Sequence, residues 1–295
     1  MRTLSSELKE HIGQQIEIAG WLHKKRLLGG LTFINVRDRR GLIQIVLQEK
    51  VEVEKLRGMQ IGTVVKVKGN VVEEPRAPGG AELHDAVIEV LVPVTDEPPI
   101  EIDKPIQHKA ENLDTLFEHR ALNVRNLQEQ KIFKIRATIL KNIRDYLTDQ
   151  DFVEIQTPKL LAKPTEGGAE VLLAQSPQFY KQMMVGAFER VFEIGQAYRA
   201  EPSATARHMT ELTMLDVEMG FVENHDEVLD LVSSLVAEVL RRTYKLHADD
   251  LRLLNAPELM LPESGQIPKF PVAEIHEMYT KATKNDTTAE KDLIP

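Results

Sequence analysis

Charged side chains occupy alternate positions on both arms of a short loop within residues 190–221. Glu193 and Arg199 share one parity on the first arm, and Asp216 and Glu218 share one parity on the second. Apolar residues take the other positions, which is the period of a β-strand with one apolar face and predicts a hairpin. Such a charged face is costly to bury unless its groups pair with one another or with a ligand. The pattern therefore predicts a binding site for a charged ligand.

A further cation precedes this hairpin, in the stretch SPQFYKQMM. Ser176 is expected to be the N-cap of a helix with Pro177 at its first position. Gln178 and Lys181 would then lie on one face of the first turn. Upstream, the segment KPTEGGAEV contains Glu166 and two adjacent glycines, which favour a mobile loop.

Five strand-like segments between residues 14 and 95 must form a separate unit. A single helix-like segment, VEVEKLRGMQ, lies between the third and the fourth of them. This order is typical of an OB-fold, a five-stranded barrel that binds oligonucleotides. The pattern alone leaves another small barrel open as an alternative.

The remainder of the chain is expected to form helices around the hairpin. Residues 95–105 contain three prolines and interrupt the periodicity, which predicts a linker. A long amphipathic helix is expected from Asn126 to Phe152, followed by a short strand closed by Pro158. A second long helix is expected near residues 225–245.

Composition narrows the class of protein. A chain of 295 residues with 42% apolar residues can form two domains. The 37 basic residues are outnumbered by 46 acidic ones, so contacts to nucleic acid must use local patches. The absence of cysteine excludes disulfides and thiol catalysis. No apolar run suits a signal peptide or a membrane span, so a soluble cytoplasmic protein is expected.

The hairpin VFEIGQAYRAE with its return strand resembles motif 2 of the class II aminoacyl-tRNA synthetases. HRALNVRN, FVEIQTPKL as motif 1, and SPQFYKQ precede it in the family's order. With the barrel in front, the match is to the subclass of aspartyl-, asparaginyl- and lysyl-tRNA synthetases. The resemblance implies an α+β fold, with an OB-fold anticodon-binding domain (1–95), a linker (96–118) and an antiparallel-sheet catalytic domain (119–295). That domain is expected to be incomplete at its C-terminus, because the family's motif 3 is absent.

The resemblance implies a set of ATP-binding residues. Arg199 would hold the α-phosphate and the carboxylate that attacks it, since a planar guanidinium can bridge two anions. Glu201 would accept a hydrogen bond from the adenine amino group, and His208, next to Arg207 in the ATP-binding loop, would contact the γ-phosphate. Leu212 departs from the family pattern, in which an aromatic residue stacks on adenine, so weaker ATP binding is expected. Mg2+ is implied by the triphosphate.

The resemblance also implies the amino-acid pocket. Lys181 corresponds to the lysine with which the family's aspartate enzymes pair the substrate side-chain carboxylate. Gln178 and Glu166 would hold the substrate ammonium, and Asp216 and Glu218 either orient these groups or serve as structural carboxylates. A plain surface lysine at position 181 is the alternative.

In the barrel, Phe33, Arg26 and Gln44 fall where this family stacks on and hydrogen-bonds to anticodon bases. An exposed aromatic ring beside donors suits unpaired RNA, whereas a ring in the barrel core is the alternative for Phe33. His23 and residues 76–80 fall near the position that reads the third anticodon base. The partners implied are tRNA(Asp) and L-aspartate, and His23 leaves charging of tRNA(Asn) open.

Taken together, the resemblance favours an archaeal-type aspartyl-tRNA synthetase that uses ATP and Mg2+ and forms a homodimer through motif 1. Because motif 3 is missing, these 295 residues alone are expected to bind tRNA without forming aspartyl-adenylate. A noncatalytic RNA-binding paralogue, an asparaginyl-tRNA synthetase and a lysyl-tRNA synthetase are the alternatives. An asparagine synthetase of the related type would lack the barrel.

Overall fold

The chain divides into two compact units, Met1–Phe133 and Lys134–Pro295, and each is described by itself. The coordinates are a computed structural model. It describes residues 2–28, 31–106, 110–161, 173–199, 209–262 and 267–284.

The first unit contains a closed five-stranded barrel, which confirms the predicted fold. Its strands are β1 (Gln15–Leu28), β2 (Leu31–Arg37), β3 (Leu42–Leu47), β4 (Val64–Glu73) and β5 (Ala81–Val92). They are hydrogen-bonded in the order β1-β2-β3-β5-β4. Helix α1 (Lys50–Arg57) lies between β3 and β4 in the chain, as expected. Alternate side chains of each strand face the interior, so that Ile18, Ile34, Ile45 and Val67 are fully buried in one core.

Helix α1 covers a gap in this barrel. Strands β3 and β5 pair at only two positions, which leaves the backbone of β5 near Ile88 without a strand partner on that side. The Glu52 carboxylate accepts from the Ile88 N–H at 2.8 Å, and the Lys55 ammonium donates to the Ile88 carbonyl at 3.1 Å. The helix thus supplies the hydrogen bonds that a neighbouring strand would make.

The turn between β2 and β3 is organised by one carboxylate. Asp38 is 3% exposed and accepts from both the N–H and the hydroxyl of Ser5, at 2.6 and 2.7 Å. The same carboxylate accepts from the N–H groups of Arg40 and Gly41 at 2.7 and 2.9 Å. Burial raises the pKa of Asp38, but these hydrogen bonds outweigh burial and lower it below its ordinary value.

Helices follow the barrel along the chain, from the end of the first unit through the second. They are α2 (Ala110–Glu118), α3 (Arg120–Asn123), α4 (Leu127–Asp149), α5 (Gln178–Phe188), α6 (His225–Leu246), α7 (Ala248–Leu253) and α8 (Val272–Thr283). The division between the two units falls within α4. This helix ends three residues before the expected Phe152, because Asp151 takes a left-handed conformation with φ 63° and the Phe152 N–H returns to the carbonyl of Leu147.

The second unit is built on a three-stranded sheet. Strand β6 (Val153–Glu154) runs parallel to β7 (Arg190–Tyr198), and β7 pairs antiparallel with β8 (Glu211–Met219). Buried residues of β7 form one core with residues of α4 and α6: Leu147, Phe192, Ile194, Leu235 and Val239. The hairpin and its apolar face are therefore as the sequence predicted, and the opposite face carries the charged residues.

Candidate functional site

The charged face of the β7–β8 hairpin is set by its register. Glu193 lies opposite Asp216, Gly195 lies opposite Met214, and Ala197 lies opposite Leu212. Because side chains alternate along a strand, these residues project to one side while Phe192 and Ile194 are buried on the other. The face thus combines ionised residues at Glu193 and Asp216 with small and apolar residues nearer the loop.

Lys181 contributes a buried ammonium to this face. Its Nζ donates to Asp216 Oδ1 at 3.1 Å and lies 3.4 Å from Glu218 Oε2. The side chains of Lys181 and Asp216 are only 7% and 10% exposed, and that of Glu218 is 28% exposed. One cation therefore serves two carboxylates, and the alternative of a plain surface lysine is wrong because the side chain is buried.

Lys181 reaches the sheet from the first turn of α5. The expected cap is wrong in detail: Pro177 rather than Ser176 is the N-cap, and no side chain caps the helix. The Lys181 N–H makes the first helical bond to the Pro177 carbonyl at 2.9 Å. Gln178, three residues before Lys181, is half-buried in the same turn.

Glu193 forms a second buried ion pair on the same face, and the sequence did not reveal its partners. Its carboxylate accepts from the N–H and hydroxyl of Thr157 at 3.0 and 2.7 Å, and from Lys159 Nζ at 2.9 Å. Glu193 is 1% exposed. A Cβ at Gly195 would lie 3.0 Å from both Glu193 Oε1 and Lys159 Nζ, so any larger residue here would require this pair to shift by a few tenths of an ångström. An available signal was the lysine of the TPKL stretch that follows β6.

Arg199 lies exposed just beyond the end of β7. Its N–H donates to the Thr210 carbonyl at 2.9 Å, and its Nη2 lies 3.7 Å from Met214 Sδ. Leu212 is half-buried on the same face, opposite Ala197. The other predicted residues of this site lie outside the described residues: Glu166, Glu201, Arg207 and His208.

A second candidate site is a groove of about 480 Å3 on the outside of the barrel. Three of the residues predicted to contact RNA, Arg26, Phe33 and Gln44, line it together. Arg26 and Phe33 are cross-strand partners, and Phe33 is half-buried and lies outside the barrel core. The other lining residues are Leu31, Val46, Gln48, Glu74, Arg76, Glu82 and His84. The groove combines an aromatic ring with donors and acceptors, which suits unpaired bases.

Glu82 orients the polar groups of this groove. Its carboxylate accepts from Gln44 Nε2 at 2.7 Å and lies 2.8 Å from His84 Nε2. With its NH2 group bound to Glu82, Gln44 presents its carbonyl oxygen as the group open to a ligand donor. Arg76 is likewise held by Glu74 at 3.0 Å.

His23 does not line this groove. It lies at the irregularity in the β1–β2 register between Leu22 and Lys24, and it is 6% exposed. Burial, and then the charge of Arg37, lower the pKa of His23. The structure thus places His23 apart from Arg26, Phe33 and Gln44.

Within the described ranges, no three histidine or acidic side chains come together as metal ligands. Among the helices in those ranges, none is long and apolar enough to cross a membrane.

Comparisons with known proteins agree with this geometry. Residues 16–91 match the family described as OB-fold nucleic acid binding domain, and residues 112–294 match tRNA synthetases class II (D, K and N). The chain is 38% identical to an aspartate–tRNA(Asp/Asn) ligase of Thermus thermophilus, over 93% of this chain and 65% of that protein. It is 37% identical to an aspartate–tRNA(Asp) ligase of Thermococcus kodakarensis, over 88% of this chain and 63% of that protein.

A solved structure shares the fold over the whole chain. The asparaginyl-tRNA synthetase from Pyrococcus horikoshii, complexed with asparaginyl-adenylate, superposes with a TM-score of 0.85 at 25% identity, covering 100% of this chain and 70% of that one. The chain spans less than two thirds of the Thermus and Thermococcus relatives. From the matched families and these relatives, the chain belongs to the class II tRNA synthetases of the D, K and N type, with an OB-fold nucleic-acid-binding domain in front.

Proposed function

We propose that the gene product is an aspartate–tRNA ligase, which activates L-aspartate with ATP and transfers the aspartyl group to the terminal ribose of tRNA(Asp). The observation that carries this proposal is the buried Lys181 ammonium held by Asp216 and Glu218 on the charged face of the hairpin. An ammonium binds a carboxylate more strongly than a neutral amide through a charge-assisted hydrogen bond. The names of the curated relatives, aspartate–tRNA ligases, point to the same substrate.

In this proposal Lys181 pairs with the side-chain carboxylate of the substrate. Gln178, Asp216 and Glu166 receive the substrate ammonium, and Glu218 helps to hold Lys181. No protein nucleophile is required: an oxygen of the substrate α-carboxylate attacks the α-phosphorus of ATP, the bond to the β-phosphate breaks, and pyrophosphate leaves. Catalysis then comes from positioning and from neutralisation of the charge that develops at phosphorus.

Arg199 is proposed to provide that neutralisation. Its guanidinium is exposed, and its contact to a thioether sulfur at 3.7 Å is weak, so an incoming phosphate can replace it. Glu201 is proposed to recognise adenine, Arg207 and His208 the terminal phosphates, and Leu212 the base face. Mg2+ would screen the triphosphate charge when bound, and no site for it is derived from the described residues.

The barrel groove is proposed to bind the tRNA anticodon. Phe33 would stack on a base, while Arg26 and the Gln44 carbonyl would bond to base edges. His23 is buried, so any influence on the third anticodon base would pass through its neighbours. Charging of tRNA(Asn) as well is a proposal that rests on the name of the Thermus relative.

Two structural proposals accompany this function. One is the division into an anticodon-binding domain (1–95), a linker (96–118) and a catalytic domain (119–295). The other is a homodimer formed through the motif 1 region, where Ile132 and Phe133 of α4 are 43% and 47% exposed.

Asparagine is the second candidate substrate, because the superposed Pyrococcus structure is an asparaginyl-tRNA synthetase. ATP–pyrophosphate exchange on the gene product as the cell makes it, with L-aspartate, L-asparagine or L-lysine, separates the candidates. Exchange with aspartate alone, lost in Lys181→Leu, is the expected result. Exchange with asparagine or lysine would reassign the substrate, and RNA binding without exchange for any amino acid would indicate a noncatalytic paralogue.

A further inference from the structure

Cations continue beyond the groove along the outer face of β1 and β2. The cross-strand pairs on this face are, in order, Arg26 with Phe33, Lys24 with Asn35, and Trp21 with Arg37. Residues of the opposite parity on β2, such as Ile34 and Val36, are buried in the barrel core. Because a strand rises about 3.3 Å per residue, the distance along β2 from Phe33 to Arg37 is roughly 13 Å.

The far end of this row gathers more positive charge. The Arg37 guanidinium lies over the Trp21 ring at 4.9 Å from its centroid. Arg125 Nη1 would lie 3.6 Å from a Cβ at Gly62, and the Gly62 N–H bonds to the Leu22 carbonyl at 2.8 Å. Arg125 is therefore placed beside β1 at the end where Trp21 and Arg37 meet.

The cations of this row have no carboxylate partner among the described residues, unlike the two lysines of β4. Within the described part of the chain, no carboxylate lies within 4.0 Å of the charged nitrogens of Arg26, Lys24, Arg37 or Arg125. On β4, by contrast, Lys66 pairs with Glu89 at 3.1 Å and Lys68 with Glu17 at 3.6 Å. The chain carries a formal charge of −9, so counter-charges are plentiful elsewhere.

The lowered pKa of Arg37 is consistent with positive charge that is not fully neutralised at this end of the row. Burial, and then the charge of Arg125, lower the pKa of Arg37, whereas Asp38 opposes this effect. At the neighbouring His23, burial and the charge of Arg37 lower the pKa, whereas the charge of Asp103 raises it. Asp38 is already committed to Ser5 and to the turn, so it neutralises Arg37 only in part.

We propose that the RNA-binding surface extends from the groove along Lys24 and Asn35 to Arg125, and that Lys24 and Arg125 bind the phosphate backbone of the stem next to the bound loop, while Arg37, which is only 9% exposed, adds positive charge from beneath the surface. The proposal rests on the proposed RNA binding of the groove. Phosphates would supply the negative charge that the row lacks, and Trp21 would hold the Arg37 guanidinium in place.

The salt dependence of RNA affinity tests the row. Fluorescence anisotropy over a salt series would compare an anticodon stem-loop RNA with its isolated loop sequence. Lys24→Gln and Arg125→Gln should each reduce the slope of log affinity against log salt by about one for the stem-loop. Neither variant should change the slope for the isolated loop. Lys66→Gln is the matched control, since its ammonium is already paired, and its slopes should equal those of the unmodified protein.

The outcomes separate this inference from the proposed function. If the unmodified protein binds neither RNA, the proposed function fails. If the stem-loop binds and Phe33→Ala weakens it, but Lys24→Gln and Arg125→Gln retain the original slope, only the row is refuted. An equal loss of slope in Lys66→Gln would attribute the effect to net charge and would also overturn the row. A cooperative thermal unfolding transition shows whether the Arg125 variant is folded. If it is not, the Lys24→Gln variant, at a partly exposed position, still tests the row through its salt slope.

Discussion

Removal of the Lys181 ammonium tests the electrostatic interpretation of the hairpin most directly. Lys181→Met keeps a long unbranched side chain in α5 but leaves Asp216 and Glu218 facing each other without their shared cation. Since Asp216 is only 10% exposed, water cannot fully replace the lost hydrogen bond at 3.1 Å. We expect the variant to destabilise the second unit and to lose any preference for aspartate.

The magnitude follows from the burial of the pair. Breaking a buried ion pair by removing one partner typically costs about 3–5 kcal/mol, because the remaining charge stays desolvated. Glu218 is 28% exposed and can regain water, so the expected cost lies at the lower end, near about 3 kcal/mol. An exposed pair of similar chemistry, Lys141 with Asp145 on α4, should contribute under about 0.5 kcal/mol.

Urea unfolding with a double-mutant cycle measures this value. The cycle comprises Lys181→Met, Asp216→Asn and the double variant, with Lys141→Met as the control. We expect the double variant to lose less stability than the sum of the two single variants, because the asparagine introduced by Asp216→Asn carries no charge that could be left unpaired. A cost below about 1 kcal/mol for Lys181→Met, or additive effects in the cycle, would contradict the buried ion pair as the source of stability.

Three further changes test other parts of the molecule. Phe33→Ala should weaken RNA binding by roughly 1–3 kcal/mol in a titration and leave the melting temperature unchanged, because the ring lies outside the barrel core; a lowered melting temperature with intact affinity would make the ring a core residue. Asp38→Asn should lower the free energy of unfolding by about 1–3 kcal/mol at neutral pH. Because the folded pKa of Asp38 lies below the unfolded value of about 3.9, this difference should disappear as the pH falls through the folded pKa, and a constant difference in acid unfolding curves would contradict it. Glu193→Ala should destabilise the protein more than Glu193→Gln in urea, because glutamine still accepts from Thr157; equal losses would argue against the hydrogen bonds.

The sequence predicted the elements whose signals are local. The alternation of apolar and polar residues in 14–95 was sufficient to predict the five strands. One face of a barrel strand packs in the core and the other faces solvent, so apolar and polar residue types alternate along it. The same rule placed Glu193 and Asp216 on one face of the hairpin. Helical periodicity located α4 and α6 to within a few residues.

Long-range partners leave no comparable local signal. Glu193 meets Lys159 across 34 positions because β6 lies parallel beside β7, and a two-residue strand has almost no periodicity to detect. Asp38 sits in the sequence RDRR, which is typical of a solvated turn, yet it is buried by Ser5 from 33 positions away. The end of α4 was misplaced for a related reason: Phe152 continues the apolar period of the helix but enters the core from the following turn.

The charge balance at Lys181 also restricts which amino acid suits the proposed pocket. One ammonium between two carboxylates leaves the cluster with a formal charge of −1 before a substrate arrives. A third carboxylate entering alone would be repelled, whereas L-aspartate also carries an ammonium that can pair with Asp216 while its side-chain carboxylate binds Lys181. Asparagine carries the same ammonium but would exchange an ionic bond at Lys181 for a neutral one.

The preference for aspartate should therefore depend on the acids as well as on the lysine. Glu218→Gln removes one negative charge beside Lys181, so a substrate carboxylate meets less repulsion there, while a neutral amide gains little from the change. We expect the ratio of aspartate to asparagine affinity to rise in this variant, measured by amino-acid titration in pyrophosphate exchange on the gene product as the cell makes it. Lys141→Gln, on an exposed pair of α4, is the control and should leave the ratio unchanged. A ratio that stays constant or falls in Glu218→Gln would mean that the Glu218 carboxylate does not compete with the substrate for Lys181.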